Sequence, residues 1–300
     1  MSNGISLTPE VPAEIKDAVN SDTLAVFIGA GVSRLVGCEG WDTLARKLVK
    51  RCYEERIINF KESETLSQIS DHKKTITICH HLFHDNGRDD FFYEEMGKSL
   101  RYPSGVTTPN IYDEIGKLRG LYVTTNADTH FDRFFNTPNI LYQASDFKQD
   151  SLDRTNLYHI HGSIKDRGSL IFTVSAYMDR YTNPEFGRFL GKIFREYTVL
   201  FLGYGLAEFE ILDFILRGNP ISSGLTPRHF MLSPFYRGED NILRYEQAYY
   251  NDLGISVLGY EKDVKGYGQL QDVVKRWNEE INLVTRYLHD ASRLIDQAVE

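Results

Sequence analysis

The run Leu24-Ala25-Val26-Phe27-Ile28 leads straight into Gly29-Ala30-Gly31-Val32-Ser33, and no other stretch restricts the fold of this chain as much. Five consecutive apolar, mostly β-favouring residues without alternation describe a strand buried on both faces, as in a parallel sheet. Glycines at 29 and 31 let the backbone turn tightly and come close to a ligand with no side chain between. A helix starting near Ser33 then aims its first amide groups at whatever lies over the glycines, a setting that suits a phosphate. The pattern is Gly-x-Gly-x-x-Arg34 rather than Gly-x-Gly-x-x-Gly, without an acidic partner at the usual spacing. Taken alone, the stretch also fits a strand-to-helix turn that holds no ligand.

A chain of 300 residues has room for one large α/β domain or two unequal ones, and 41% hydrophobic residues supply a sizeable core. Its 34 basic and 42 acidic side chains leave a net charge of −8. That balance argues against direct nucleic-acid binding or grip on an anionic membrane. The polar first twenty residues do not read as a signal peptide, and no stretch reaches the apolar length of a membrane span, so a cytoplasmic location is expected. The cysteines, Cys38, Cys52 and Cys79, form no Cys-x-x-Cys. They fit a reducing compartment, exclude a four-cysteine zinc module and leave no metal expected.

Along the chain, a short helix over 10–20 precedes the first strand, and Trp41, Leu44, Ala45 and Leu48 mark one face of a helix after the turn at 37–40. Further helices over 73–84 and 89–100, with no strand between, describe a helical insertion at about 42–107, a lid over the glycines. Thr108 and Pro109 read as cap and first residue of a helix running to Arg119. Strands follow at 121–124, 157–162, 198–202, 229–232 and 255–258. A helix through Phe131, Phe134 and Phe135, another after Gly205 through Phe209, Leu212, Ile215 and Leu216, and one around 240–250 lie between them, with Leu170-Ile171-Phe172 extended. The pattern from 269 to 299 is one amphipathic helix without a stop signal, which reads as a chain continuing further or a helix completed by a partner. The division expected is 1–265 for the main domain and 266–300 for the C-terminal helix. Strand alternating with helix implies a doubly wound, mostly parallel α/β sheet.

In such sheets ligands sit outside the carboxyl ends of the strands. Four strands here end in Gly29-Ala30-Gly31-Val32-Ser33, Thr124-Thr125-Asn126-Ala127-Asp128, His161-Gly162-Ser163 and Gly203-Tyr204-Gly205. An amide, a carboxylate and an imidazole thus converge on a glycine-lined, phosphate-friendly place. In this order the four motifs resemble the sirtuin (Sir2) superfamily over about residues 20–260. They look closest to the sirtuin-like domains of bacterial anti-phage defence proteins that hydrolyse NAD. Protein-deacylating sirtuins carry a four-cysteine zinc module after the His-Gly pair; this chain has no cysteine after Cys79.

The resemblance implies a Rossmann-like fold and a set of roles. Backbone amides of Gly29, Ala30, Gly31 and Ser33 would hold the pyrophosphate. Asn126 would orient the nicotinamide ribose and the attacking water, Asp128 would bond the nicotinamide carboxamide, and His161 would act as general base. Thr125 belongs to the same binding set, and Gly203, Tyr204 and Ser233 would lie on the adenosine side. The activity implied is an NAD glycohydrolase releasing nicotinamide and ADP-ribose, a metabolite-depleting effector with NAD as substrate. A homo-oligomer and a gating partner, such as a HerA-type ATPase or another phage sensor, are implied with it. An NAD-dependent protein deacylase and a non-catalytic NAD or ADP-ribose sensor are the alternatives. His159, two residues before His161, is read as packing beneath the site, Asp132 as helix surface, and Tyr245, Tyr249 and Tyr250 as packing residues. His80 and His84 share a helix face but lack a further ligand, which favours a solvated surface over a metal site.

Overall fold

The computed structural model describes residues 8–101, 108–205 and 229–282. Its sheet has seven parallel strands in the order β3-β4-β2-β1-β5-β6-β7, flanked by helices in a Rossmann-like α/β arrangement. These are β1 (Leu24–Ile28), β2 (Leu121–Thr124), β3 (Ile140–Leu141), β4 (Leu157–His159), β5 (Thr198–Leu202), β6 (His229–Phe235) and β7 (Ile255–Glu261). Every residue of β1, β2 and β5 is buried. That is the environment unalternating apolar runs require when helices cover both faces of a parallel sheet. The two-residue β3, whose Ile140 and Leu141 pair with Leu157 and Tyr158 of β4, is too short to leave a periodic trace in the sequence.

Contacts divide the chain into two compact units, one of Ile28–Val106 with Val123–Leu190, the other of Met1–Phe27, Thr107–Tyr122 and Gly191–Glu300. In the first, α2 (Ala30–Leu35) follows β1, and four helices come next: α3 (Trp41–Glu54), α4 (Phe60–Ser67), α5 (His72–Asp85) and α6 (Asp89–Ser99). Asn59 caps α4 through a reciprocal pair of bonds with Glu62, and the Asp71 carboxylate accepts from Lys74 N–H at the start of α5. Leu44, Leu48 and Cys52 of α3 pack with Ile76, Cys79 and Phe83 of α5 and with Phe92 and Met96 of α6. Ala127 and Phe172 complete this core, which fixes the helical block against the loops that follow β2 and β4. The segment after Asp128 is a short 3-10 turn over Asp132–Phe134 rather than the expected α-helix. Residues 170–172 form no strand, although Ile171 N–H bonds the His161 carbonyl. Helix α8 (Val174–Thr182), capped by Thr173, and α9 (Pro184–Glu196), which begins in this unit, follow.

The second unit contains α1 (Ala13–Asn20), α7 (Ile111–Ile115), β5 to β7, α10 (Asp240–Asn251) and the helical residues 269–282, α11. Thr108 and Pro109 precede α7, which Asn110 caps in a reciprocal pair with Asp113; an asparagine that accepts a backbone N–H is the stronger start signal. Strand β6 runs past Leu232 to Phe235. Its pairs with β5 end at Met231, so Pro234 lies beside β7 alone, where a missing N–H breaks no bond to β5. Trp277 of α11 donates from its indole to the Pro9 carbonyl and Asn278 donates to the Glu114 carbonyl, anchoring this helix to its own unit. The helix expected after Gly205 and the rest of the amphipathic pattern after 282 lie outside the described residues. Tyr245 and Tyr249, expected to pack, are exposed on α10.

Candidate functional site

Helix α2 begins at Ala30, three residues earlier than the sequence suggests. Gly29 caps it in ordinary extended backbone (φ −100°), and Val32 N–H already bonds the Gly29 carbonyl. Gly31 and Ser33 therefore belong to the first turns of a helix rather than to a loop. The amides without an intrahelical partner are those at its very start, beside an exposed Ala30.

The end of β2 meets this turn through a set of directed bonds. Thr124 Oγ1 donates to the Ile28 carbonyl at 2.9 Å and accepts from Asn126 N–H at 3.0 Å. Asn126 Nδ2 donates to the Gly29 carbonyl at 3.0 Å. Since a carbonyl only accepts, this bond sets the amide orientation and leaves Oδ1 as the outward acceptor. Two residues on, the Asp128 carboxylate accepts from Ser33 Oγ at 2.5 Å and from His130 N–H at 3.1 Å. Strand β1, helix α2 and the β2 loop are thereby tied together at Asn126 and Asp128, both buried.

These groups line a cavity of about 50 Å³. Ala30, Ser33, Thr125, Asn126 and Asp128 are among its lining residues, as are Cys38, Trp41, Leu44, Ser99, Leu100 and Phe172. Trp41 packs against Phe172 with ring centroids 5.1 Å apart. Glu39, also on the wall, is held by Lys47 and by Ser99 Oγ. Burial works against its charge, but those two bonds keep its carboxyl below the ordinary carboxylate range.

Beneath Asn126 lies a buried ion pair that sequence reasoning missed. His159, the last residue of β4, makes a 2.8 Å bond from Nδ1 to the Asn126 carbonyl and a 2.9 Å bond from Nε2 to Asp132 Oδ1. Asp132 is buried rather than on a helix surface, and Lys165 Nζ reaches its other oxygen at 2.6 Å. Burial raises the Asp132 carboxyl, but the bonds from His159 and Lys165 outweigh that and hold it below its ordinary range. The Asn126 carbonyl only accepts, so Nδ1 carries a proton, and Nε2 faces the Asp132 carboxylate. His159 packs under the site, as the sequence suggests, and fixes the backbone at Asn126. The signal available was the acid six residues after Asn126, which a helical reading of 128–135 turned outward.

His161 has a different environment. It is buried, and its Nε2 bonds Tyr181 Oη at 2.7 Å, with Tyr177 edge-on at 5.0 Å. Tyr177 and Tyr181 are four residues apart on α8 and so share a face. Their spacing was the signal for this box. Burial foremost, then the cations Arg180 and Lys73, push the His161 pKa down to about 3. Arg180 itself lies over Phe147 and donates to the Ile160 carbonyl at 2.8 Å; burial lowers its pKa to about 10, so it stays charged. Gly162 turns the chain at φ +81°, where a Cβ would come within 2.1 Å of the Ser169 carbonyl oxygen. His161 is not among the residues lining the cavity of Asn126 and Asp128.

The other binding candidates belong to the second unit. Gly203 takes φ +66° directly after β5, and Tyr204 packs edge-on against Phe201. Ser233 lies within β6 rather than at its end, donating to Glu246 at 3.1 Å. His80 packs on Phe92 and parallel to His84, and His84 bonds Asp89. Among the described residues, the grouping able to hold a metal is Cys38, Asp128 and His130 instead.

Fold and site together define an α/β protein of Rossmann-like type with polar groups gathered at the carboxyl ends of adjacent parallel strands. A family model described as the SIR2-like domain matches residues 120–258. The match supports membership of the Sir2 superfamily and suggests NAD-related activity, since SIR2-like domains bind NAD. It takes in Asn126, Asp128, His161 and Gly203, while the glycines at 29 and 31 precede it. Among the described residues no helix is long and apolar enough to cross a membrane.

Proposed function

We propose that this chain is an NAD glycohydrolase, releasing nicotinamide and ADP-ribose. The observation that carries the reading is the fixed carboxamide of Asn126. Its Nδ2 is engaged by the Gly29 carbonyl, and its Oδ1 has no hydrogen-bond partner among the described residues. Breaking the N-glycosidic bond builds positive charge on the ribose, and a pre-aimed amide oxygen stabilises such charge without reorganising. The same oxygen can orient the attacking water. Asp128 beside it offers an acceptor to the nicotinamide amide, and the first turn of α2 offers backbone donors to the pyrophosphate.

His161, which does not line the cavity, is a neutral imidazole held at Nε2 by Tyr181, so this scheme gives it no direct contact with the substrate. A cavity of about 50 Å³ takes a water or two and not a nicotinamide ring, so the aromatic wall of Trp41 and Phe172 opens as substrate enters. That gives the helical block the part of a lid. Gly203, Tyr204 and Ser233 are assigned the adenosine side. An effector that depletes NAD has to be gated, which favours assembly with further copies or with a sensor protein, consistent with the resemblance to anti-phage defence proteins.

Incubation of the full chain with NAD, alone and with candidate partners, followed by chromatography of nicotinamide and ADP-ribose, tests the reading. Turnover should fall by at least about a hundredfold in Asn126→Ala, the range expected when a polar group stabilising transition-state charge is removed. Tight NAD binding without product would point to a sensor. Deacylation of acetyl-lysine peptides would point to a deacylase.

A further inference from the structure

We propose that Cys38, Asp128 and His130 form a site for a single Zn²⁺ ion. The three side chains are each more than nine-tenths buried, and one donor atom from each lies within 4.8 Å of the others. Cys38 Sγ is 3.0 Å from His130 Nε2, and that nitrogen is 3.9 Å from Asp128 Oδ1. A tetrahedral zinc ion with ordinary bond lengths separates such atoms by about 3.4–3.6 Å, between these two spacings. Thiolate, imidazole and carboxylate together are a donor set that favours zinc over magnesium or calcium.

The surroundings already position the ligands. Cys38 N–H bonds the Ser33 carbonyl at 3.0 Å, which fixes the thiol below the end of α2. Asp128 keeps one oxygen on Ser33 and turns the other toward His130. On binding, the Cys38 S–H bond breaks, its proton passes to solvent and the sulfur electron pair forms the Zn–S bond. Because Cys38 and Asp128 both line the cavity, the fourth ligand is a water on that side. Zinc there also occupies the carboxylate assigned to nicotinamide, so it inhibits; this consequence rests on the glycohydrolase reading, whereas the site does not.

The test uses the reduced, metal-free full chain titrated with Co²⁺. One equivalent should produce visible bands of a tetrahedral ion and a near-ultraviolet thiolate-to-cobalt band, both erased by Zn²⁺ and unaffected by Mg²⁺. Cys38→Ser should lose the thiolate band and His130→Gln should alter the visible ones, with the near-ultraviolet circular dichroism of each metal-free variant confirming its fold. No thiolate band in the unaltered chain, or one that persists in Cys38→Ser and so belongs to Cys52 or Cys79, overturns the proposal. In a parallel assay, Zn²⁺ should suppress NAD turnover and Cys38→Ser should relieve the suppression. If the chain never turns over NAD, the cobalt spectrum still decides the site.

Discussion

Replacing His161 with glutamine should make the protein less sensitive to mild acid. In the folded chain the imidazole stays neutral down to about pH 3, held there by burial and by the cations Arg180 and Lys73. In the unfolded chain it titrates near its ordinary value of about 6.5. Above that value neither state binds the proton and the stability contribution is complete. As the pH falls from about 6.5 toward about 3, the unfolded state takes up a proton that the folded state refuses, and stability is lost at about 1.4 kcal/mol per pH unit. Moving from about pH 7.5 to about pH 5 therefore costs the unaltered protein about 2 kcal/mol through this one residue. His161 is only 2% exposed, so solvent screening does not reduce the figure. His161→Gln keeps a polar group within reach of Tyr181 and has nothing to titrate. Urea unfolding of both proteins at the two pH values isolates the effect, because every other titrating group is common to them. The stability difference between them should shift by about 2 kcal/mol in favour of the variant on acidification. Parallel losses would refute the reasoning and show that His161 protonates in the folded state. The same argument places any acid limb in the NAD turnover profile on a group other than His161.

The buried contact under Asn126 should matter for stability: Asp132→Ala leaves a buried ring nitrogen of His159 without its partner and should cost about 2 kcal/mol, read by thermal or denaturant unfolding. Lys165→Met, at a half-exposed partner of the same carboxylate, should cost less than about 1 kcal/mol; equal losses would contradict the assignment of the main pair. Gly162→Ala places a methyl group against the Ser169 carbonyl at a positive φ and should cost more than about 2 kcal/mol, whereas the same change at Gly97, where a Cβ meets nothing within 4 Å, should be neutral or stabilising.

The parts of the site legible beforehand were those written in local order. Asn126 and Asp128 stand where a buried strand runs out, and the strand's unalternating apolar residues marked that place. Gly162 and Gly203, placed at strand ends, both adopt left-handed backbone. What was misread depends on partners distant in sequence. Asp132 looked like helix surface because its neighbours have helical spacing, yet His159, 27 positions away, draws it inward. His161 looked like a general base at a strand end beside the ligand, but the two tyrosines of α8 pack against it. Cys38 and His130 carry no recognisable metal spacing, being 92 residues apart.

The amino-acid sequence by itself determined that this is a parallel α/β chain and where its strands release polar residues, because unbroken apolar runs must be covered on both faces and glycine or asparagine must follow them. Only the tertiary structure decided which of those residues share a cavity, which way the Asn126 amide faces and which partners enclose each histidine. Those outcomes depend on burial and on hydrogen bonds between segments that meet only once the sheet has assembled, and no local pattern encodes them.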